Sequence, residues 1–124
     1  MPKKILVADD ENAKRTAVAE ALKQAEFEVT EAGNGQIALD KALSEHPDLI
    51  LLDINMPVMS GLEMLRQLRQ DDWGKDAEVL LFTSYANPEN ASEALKLGAH
   101  NFLVKQSFDL DEVVEAVKRQ VGLT

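Results

Sequence analysis

Short apolar runs alternate with helical patterns along the chain, and this alternation limits the fold more than any other feature. Each run is about as long as a strand; four are mainly apolar, and one alternates apolar and polar residues. Between the runs, apolar residues recur with the spacing of a helix that buries one face. The stretches are KILVAD, FEVTEA (27–32, the alternating one), DLILLD (48–53), EVLLF (78–82) and NFLV (101–104). The pattern predicts five successive strand–helix units.

Five helical faces are predicted, one after each strand. The second is the weakest and the last is the clearest. An asparagine followed by proline predicts the start of the fourth helix, and a glycine predicts its end. The faces comprise Ala17, Val18, Ala21, Leu22 and Ala25; Ile37, Ala38, Ala42 and Leu43; Leu62, Leu65 and Leu68; Ala91, Ala94 and Leu95; and Leu110, Val113, Val114, Val117 and Val121, with Asn87, Pro88 and Gly98 bounding the fourth.

The alternation of strands and helices predicts an α/β fold with a parallel sheet covered by helices on both faces. The alternating stretch FEVTEA suits an edge strand, whereas the continuous runs suit central strands. This favours a doubly wound, flavodoxin-like (βα)5 sheet of strand order 2-1-3-4-5, in which strands 1 and 3 are neighbours. No linker or repeat interrupts the chain, so residues 1–124 are predicted to form a single domain.

The composition excludes several classes of function. The formal net charge of −9 and the absence of a basic patch make nucleic acid and anionic membranes unsuitable partners. The chain contains no cysteine, which excludes disulfides and thiolate chemistry. The apolar runs are far shorter than a membrane span, and the amino-terminal stretch does not resemble a signal peptide. We therefore expect a cytoplasmic protein.

Polar side chains follow four of the predicted strands, at the edge where ligands bind in such sheets. Asp9 and Asp10 end strand 1, Asp53 ends strand 3, Thr83 ends strand 4 and Lys105 ends strand 5. Three converging carboxylates repel one another and need a cation. Because the ligands are oxygens, the sequence favours a hard ion, with Mg²⁺ the natural candidate. Taken alone, the first two acids would instead be explained as a helix cap and a first-turn charge.

The chain resembles the receiver domain of two-component response regulators over essentially its whole length. The resemblance depends on ADD after strand 1, DINMPVMSG after strand 3, Thr83 after strand 4 and FLVK in strand 5. It implies that Asp53 is the phosphoacceptor, which takes a phosphoryl group from a kinase histidine or a small acyl phosphate. Such a domain is a signalling phosphoacceptor, not an enzyme in the usual sense, although it assists its own phosphorylation and dephosphorylation.

The resemblance also implies roles for the other site residues. Asp10 and Asp53 would bind Mg²⁺, Asp9 would hold or neighbour the ion, typically through water, and Asn55 would contribute its backbone carbonyl. Lys105 would pair with one phosphoryl oxygen and Thr83 would donate its hydroxyl to another. These assignments are expectations that follow from the family, not from the spacing.

A conformational switch is the second expectation from the resemblance. Phosphorylation would draw Thr83 and its loop inward, and Phe102 would rotate into the vacated space. The face formed by the fourth helix, fifth strand and fifth helix would change shape and be recognised by a downstream protein. Tyr85, a bulky residue two positions after Thr83, would act with Asn55 to shield the acyl phosphate or to position an attacking water, an expectation that comes from its size and position. The expected donor is a sensor histidine kinase or a phosphotransfer protein; phosphorylation-dependent homodimer formation is left open.

One departure from the family leaves a rival interpretation open. Gln106 follows Lys105 where many receivers have a cis-proline, so we predict a trans bond there and a looser loop. A pseudo-receiver, which keeps the fold as an interaction module without the chemistry, therefore ranks second. An FMN-binding flavodoxin is disfavoured because DDEN replaces its phosphate loop. A haloacid dehalogenase-type phosphohydrolase is disfavoured because Asn55 stands where it needs a second acid.

Overall fold

The computed structural model describes residues 2–83, 88–99, 101–104 and 109–122, without the side chains of Phe102 and Val104. Strands and helices alternate throughout this part of the chain, as the sequence predicts. The elements are β1 (Lys4–Ala8), α1 (Asn12–Gln24), β2 (Glu28–Ala32), α2 (Gly35–Glu45), β3 (Leu49–Leu52), α3 (Gly61–Leu68), a 3₁₀ turn (Gly74–Asp76), β4 (Val79–Thr83), α4 (Pro88–Lys96), β5 (Asn101–Val104) and α5 (Leu110–Gln120).

The five strands form one parallel sheet in the order β2-β1-β3-β4-β5. This confirms the flavodoxin-like order and the edge position of the alternating strand β2. Ala8 pairs with Leu52 and Ala8 also pairs with Ala32, so β1, β2 and β3 end at the same level. The residues that follow these strands therefore emerge at one edge, which we call the carboxyl edge of the sheet.

Two apolar cores cover the two faces of the sheet, which explains the continuous apolar runs of the central strands. Alternate residues of each strand point to opposite faces. Leu6, Ile50 and Leu81 belong to the core that includes side chains of α2, α3 and α4. The neighbouring strand positions belong to the core that includes side chains of α1 and α5, and they comprise Ile5, Val7, Leu49, Leu51, Leu80 and Phe82.

The predicted face of α2 is wrong in part. Ile37 and Leu43 are 42% and 36% exposed, whereas Leu39, which the prediction leaves out, is buried beside Ala38. The start of α2 explains the difference, because a Cβ on Gly35 would lie 2.0 Å from the carbonyl oxygen of Met59. The small-residue side of the helix is thus pressed against the loop after β3. Leu95 and Leu110, also predicted to face inward, are 50% and 42% exposed.

The helix ends follow the local signals in the sequence. Asn34, Ser60 and Asp109 cap α2, α3 and α5 by accepting backbone N–H groups with their side chains. Helix α4 begins at Pro88 as predicted, while Asn87 lies outside the described residues. Gly98, at φ +82°, ends α4, and the Ala99 N–H donates to the Ala94 carbonyl at 2.9 Å. In the described part of the chain, no helix has both the length and the apolar character needed to cross a membrane.

Helices α3 and α4 are joined by a charged contact on the surface. The Arg66 guanidinium lies between Glu93 of α4 and Glu63 of its own helix, with Nε 2.6 Å from a Glu93 oxygen. Hydrogen bonds to Glu93 and Glu63 raise the pKa of Arg66 above its usual value. Hydrogen bonds from Gln67 and Arg66 lower the pKa of Glu63. The contact therefore links the helix that follows β3 to the helix that follows β4.

Candidate functional site

Strands β1 and β3 place two carboxylates side by side at the carboxyl edge. The Asp53 N–H donates to the Ala8 carbonyl at 2.9 Å, and the Asp9 N–H donates to the Ala32 carbonyl at 3.0 Å. These bonds extend the sheet by one residue beyond β1 and β3. Both acids are only 3% exposed, although charged side chains are rarely buried to this extent. The order of the strands thus places Asp9 and Asp53 next to each other in a buried position at the carboxyl edge.

Asp10 completes a cluster of three acids. One carboxylate oxygen from each of Asp9, Asp10 and Asp53 lies within 4.8 Å of the other two, and Asp10 is exposed while Asp9 and Asp53 are buried. A donor set made only of carboxylate oxygens fits a hard divalent cation such as Mg²⁺, which needs only one or two carboxylates and keeps several waters. The exposed side of the cluster leaves access for such waters. The cluster could therefore hold a metal ion, as the sequence predicts.

The hydrogen bonds of Asp9 argue against the simpler explanation of this acid as a helix cap. The residue at the N-cap position of α1 is Glu11, which makes no capping hydrogen bond with its side chain. Asp9 Oδ1 instead accepts the Glu11 N–H at 2.9 Å, a bond that closes a local turn before the helix. Asp9 is therefore not the N-cap residue of α1, and its side chain instead fixes the turn that leads into the helix.

The loop after β3 is built tightly around Asp53. Its Oδ1 accepts the Asn55 N–H at 3.3 Å, and the Ile54 carbonyl accepts the Gly61 N–H at 2.8 Å. A Cβ on Gly61 would lie 2.0 Å from the Asp53 carbonyl oxygen, so no other residue fits there without a backbone shift. Within this loop Val58 adopts φ +68°, which is rare for a β-branched residue, and is 82% exposed. The start of α3 is thus packed directly against the backbone of Asp53.

The structure places the remaining predicted site residues unevenly. Thr83 is the last residue of β4, at the carboxyl edge, and is fully buried. Asn55 is exposed two residues after Asp53. Phe102 pairs with Leu81 through its backbone in β5, but its side chain is outside the described part of the structure. Tyr85, Lys105 and Gln106 lie outside the described residues, and so does the predicted trans bond between the last two.

Arg15 is a residue of this edge that the sequence reasoning missed. Its Nη1 donates to the Asp9 carbonyl at 2.9 Å, and its Nε donates to a Glu31 carboxylate oxygen at 3.1 Å. An arginine near the start of a helix gives no sequence signal of its own. The contact becomes visible only when the end of β2 is placed beside the end of β1.

The chain matches the family described as "Response regulator receiver domain" over residues 5–118. This chain belongs to that family. The resemblance stated from the sequence is confirmed, and so is the fold. Receiver domains are signalling phosphoacceptors, and the three-acid cluster of this receiver lies at the ends of the strands that carry ADD and DINMPVMSG.

Three relatives illustrate the likeness. Sporulation initiation phosphotransferase F of Bacillus subtilis is 35% identical over 99% of this chain and 97% of its own length. Regulatory protein AtoC of Escherichia coli is 39% identical over 97% of this chain but only 25% of its own length. The solved structure of Vibrio cholerae chemotaxis protein CheY4 superposes with a TM-score of 0.88 at 34% identity, covering 96% of this chain and 98% of that one. The receiver thus resembles both a protein of its own size and one part of a much longer regulator.

Proposed function

We propose that this receiver is a Mg²⁺-dependent phosphoacceptor in which Asp53 carries the phosphoryl group. The observation that supports the proposal is the cluster of Asp9, Asp10 and Asp53 oxygens within 4.8 Å at the carboxyl edge. Three carboxylates at this spacing repel one another, which costs free energy unless a cation or a covalent change reduces the charge. A bound divalent ion offsets the repulsion and also allows a carboxylate to meet a phosphate dianion.

In the proposed reaction, a carboxylate oxygen of Asp53 attacks the phosphorus atom of the donor. A new O–P bond forms, giving an aspartyl phosphate, while the P–N bond of a phosphohistidine or the P–O bond of an acyl phosphate breaks. The leaving group keeps the electron pair of the broken bond, and an imidazole leaving group takes up a proton. The tight packing of Gly61 against the Asp53 backbone holds the nucleophile in place during this transfer.

The proposed metal ligands are Asp10, Asp53 and the Asn55 carbonyl, with Asp9 acting through water. When bound, Mg²⁺ supplies electrostatic stabilisation of the transferring phosphoryl group. Asp9 contributes a buried carboxylate fixed by the Glu11 N–H, and Asp10 contributes one that is open to solvent. The Asn55 N–H donates to Asp53 Oδ1 at 3.3 Å, so the backbone of Asn55 lies beside the acid cluster.

Thr83 and Lys105 are proposed to contact the phosphoryl oxygens, and Phe102 and Tyr85 to take part in the switch. The position of Thr83 supports its part of this proposal, since it lies fully buried at the end of β4, at the same edge as Asp53. Thr83 directly precedes the four residues that connect β4 to α4 in sequence, so its movement would act on α4. The roles of Lys105, Phe102 and Tyr85 rest on the family resemblance.

The proposed partners are proteins. A sensor histidine kinase or a phosphotransfer protein would donate the phosphoryl group, and a downstream protein would recognise the face formed by α4, β5 and α5. The name of the Bacillus relative, a phosphotransferase of sporulation initiation, supports a place in phosphoryl transfer between proteins. Homodimer formation through the same face after phosphorylation is a further outcome to be measured.

Intact mass spectrometry tests the proposal. The chain is incubated with Mg²⁺ and an acyl phosphate, and we expect a gain of one phosphoryl group that is abolished by chelation and by Asp53→Asn. Asp48→Asn is the matched control because Asp48 lies at the opposite end of the same strand, and it should be phosphorylated like the wild type. Phosphorylation that persists in Asp53→Asn would place the acceptor elsewhere. No gain in the wild type would favour the pseudo-receiver.

A further inference from the structure

Arg15 joins the ends of two strands next to the acid cluster. It lies in α1, and its side chain is only 18% exposed. Long side chains in a helix point toward the helix's amino-terminal end. For Arg15, this direction leads to the loop between β1 and α1. One guanidinium therefore reaches both the Asp9 carbonyl, at 2.9 Å, and the Glu31 carboxylate, at 3.1 Å.

The bond to the Asp9 carbonyl acts on both acids of the loop. This carbonyl belongs to the planar peptide group that joins Asp9 to Asp10. The Asp9 N–H is held by the Ala32 carbonyl, and Asp9 Oδ1 is held by the Glu11 N–H. With Arg15 on the carbonyl, both backbone polar groups of Asp9 are held, and the carbonyl that Arg15 holds is part of the peptide group that leads into Asp10.

The other end of the contact is itself firmly held. The Glu31 backbone carbonyl accepts a hydrogen bond from Lys41 of α2. A Cβ on Gly33 would lie 3.2 Å from Nη1 of Arg15, so the guanidinium also packs closely over the turn between β2 and α2. Arg15 is thus anchored to β2 and can hold the loop before α1 in one position.

We propose that Arg15 is a positioning residue for the divalent cation: it strengthens Mg²⁺ binding by fixing the Asp9–Asp10 peptide, although it is itself a cation. This inference rests on the proposed function, because it assumes Mg²⁺ at the acid cluster. Two effects of opposite sign compete at this residue. Its charge repels the ion, partly offset by Glu31, whereas its hydrogen bond aligns the ligands before the ion arrives.

Calorimetric titration of the full chain with Mg²⁺, in the absence of any phosphodonor, separates the two effects by sign. For Arg15→Met, which keeps much of the side-chain length, we expect the Mg²⁺ dissociation constant to rise about tenfold, as is typical when a partner outside the ligand shell is lost. A purely electrostatic role predicts the reverse, namely tighter binding. An unchanged or lowered dissociation constant would overturn the proposal.

Two further variants make the test specific. Lys14→Met removes the same charge from the neighbouring, exposed position, and should leave the dissociation constant unchanged or slightly lower. Arg15→Lys keeps the charge but loses the planar fork that reaches two acceptors, so we expect weaker binding than in the wild type. Wild-type affinity in Arg15→Lys would show that geometry is unimportant and would contradict the proposal even if Arg15→Met failed to fold.

The outcome for the wild type distinguishes this inference from the proposed function. If the wild type takes up Mg²⁺ and accepts a phosphoryl group while Arg15→Met binds Mg²⁺ equally well, only the role of Arg15 is wrong. If the wild type takes up no Mg²⁺, the proposed function and the inference fail together. Far-UV circular dichroism of each variant at the titration temperature verifies that folded protein is being compared.

Discussion

The two ends of strand β3 show how differently the same residue type is treated at the two edges of the sheet. Asp48 precedes the strand at the amino edge, is exposed, and accepts the Lys4 N–H at 2.8 Å. Asp53 follows the strand at the carboxyl edge, is 3% exposed, and lies beside two other carboxylates. At the amino edge of β4, Glu78 resembles Asp48, because it is exposed and accepts a hydrogen bond from Gln120.

The difference teaches that acidity at a strand end is not in itself a functional signal. At the amino edge, acids are separated, solvated and matched with N–H donors, which is the stable arrangement. At the carboxyl edge, acids are brought together and partly buried, which costs free energy in the absence of a cation. A functional site is indicated where the fold brings like charges together, because this arrangement does not stabilise the folded chain. Each prediction below changes one edge and uses the other as its reference.

The largest effect is expected from placing a methyl group where backbones touch. A Cβ would lie 2.0 Å from the Asp53 carbonyl oxygen in Gly61→Ala, and 2.2 Å from the Leu68 carbonyl oxygen in Gly74→Ala. Because backbone must shift in both cases, we expect each variant to lose about 3 kcal/mol in the free energy of unfolding, measured with urea. Only Gly61→Ala should also weaken Mg²⁺ binding, since it displaces the backbone of Asp53.

Gly74→Ala therefore serves as the control for stability loss alone. Equal Mg²⁺ affinities in the two variants, measured by calorimetry under conditions where both are folded, would show that packing against Asp53 does not position the site. The two edges would then differ in the placement of their charged residues, and not in how tightly the backbone is packed around them.

A smaller effect, of opposite sign at the two edges, is expected on removing a single charge. Asp10→Asn relieves repulsion from carboxylates within 4.8 Å, and should raise the free energy of unfolding by about 1 kcal/mol in metal-free buffer at low salt. Asp48→Asn relieves no such cluster and weakens the hydrogen bond from Lys4, so it should be neutral or slightly destabilising. Urea denaturation with and without Mg²⁺ measures both.

With Mg²⁺ added, the wild type should become more stable than Asp10→Asn. The ion stabilises the wild type by binding the folded state, and this gain should be much smaller in Asp10→Asn. A metal-free Asp10→Asn protein that is less stable than the wild type would mean that the three acids do not repel one another appreciably.

Much of the fold could be predicted because it depends on local patterns. The apolar runs and their lengths indicate parallel strands. The change from apolar to acidic residues at the end of a run indicates that Asp9 and Asp53 lie at the carboxyl ends of their strands. Arg15 could not be predicted, since its partners on β1 and β2 are brought together only by the assembled sheet. The exposed side of Ile37 was missed for a similar reason: the face that α2 buries is chosen by the contact of Gly35 with the Met59 backbone.

The stacked pair of His46 and Trp73 is a second contact beyond the reach of sequence patterns. Neither residue belongs to an apolar face or a motif that the sequence reveals. In the structure their rings lie 4.3 Å apart between centroids and are inclined by 9°, and they join the end of α2 to the segment before β4. Their separation along the chain and the lack of any periodicity between them leave no signal to recognise.

The smallest effect is expected from breaking this stack at the amino edge. His46 adopts φ +50°, a conformation that asparagine tolerates well, so His46→Asn removes the ring without adding backbone strain. We expect a loss of about 0.5 kcal/mol in the free energy of unfolding, the lower end for an aromatic pair because His46 is exposed. Trp73 fluorescence should change in the folded protein, and Mg²⁺ affinity should not.

Glu26→Asn is the matched control for this variant, because Glu26 also has a positive φ, of +74°, at the end of a helix. Asparagine there should be neutral or slightly stabilising, so the difference between the two variants isolates the ring contact. If His46→Asn reduced the free energy of Mg²⁺ binding by as much as it reduced the free energy of unfolding, the amino edge would be coupled to the acid cluster through α2. The contrast between a stabilising edge and a functional edge would then be wrong.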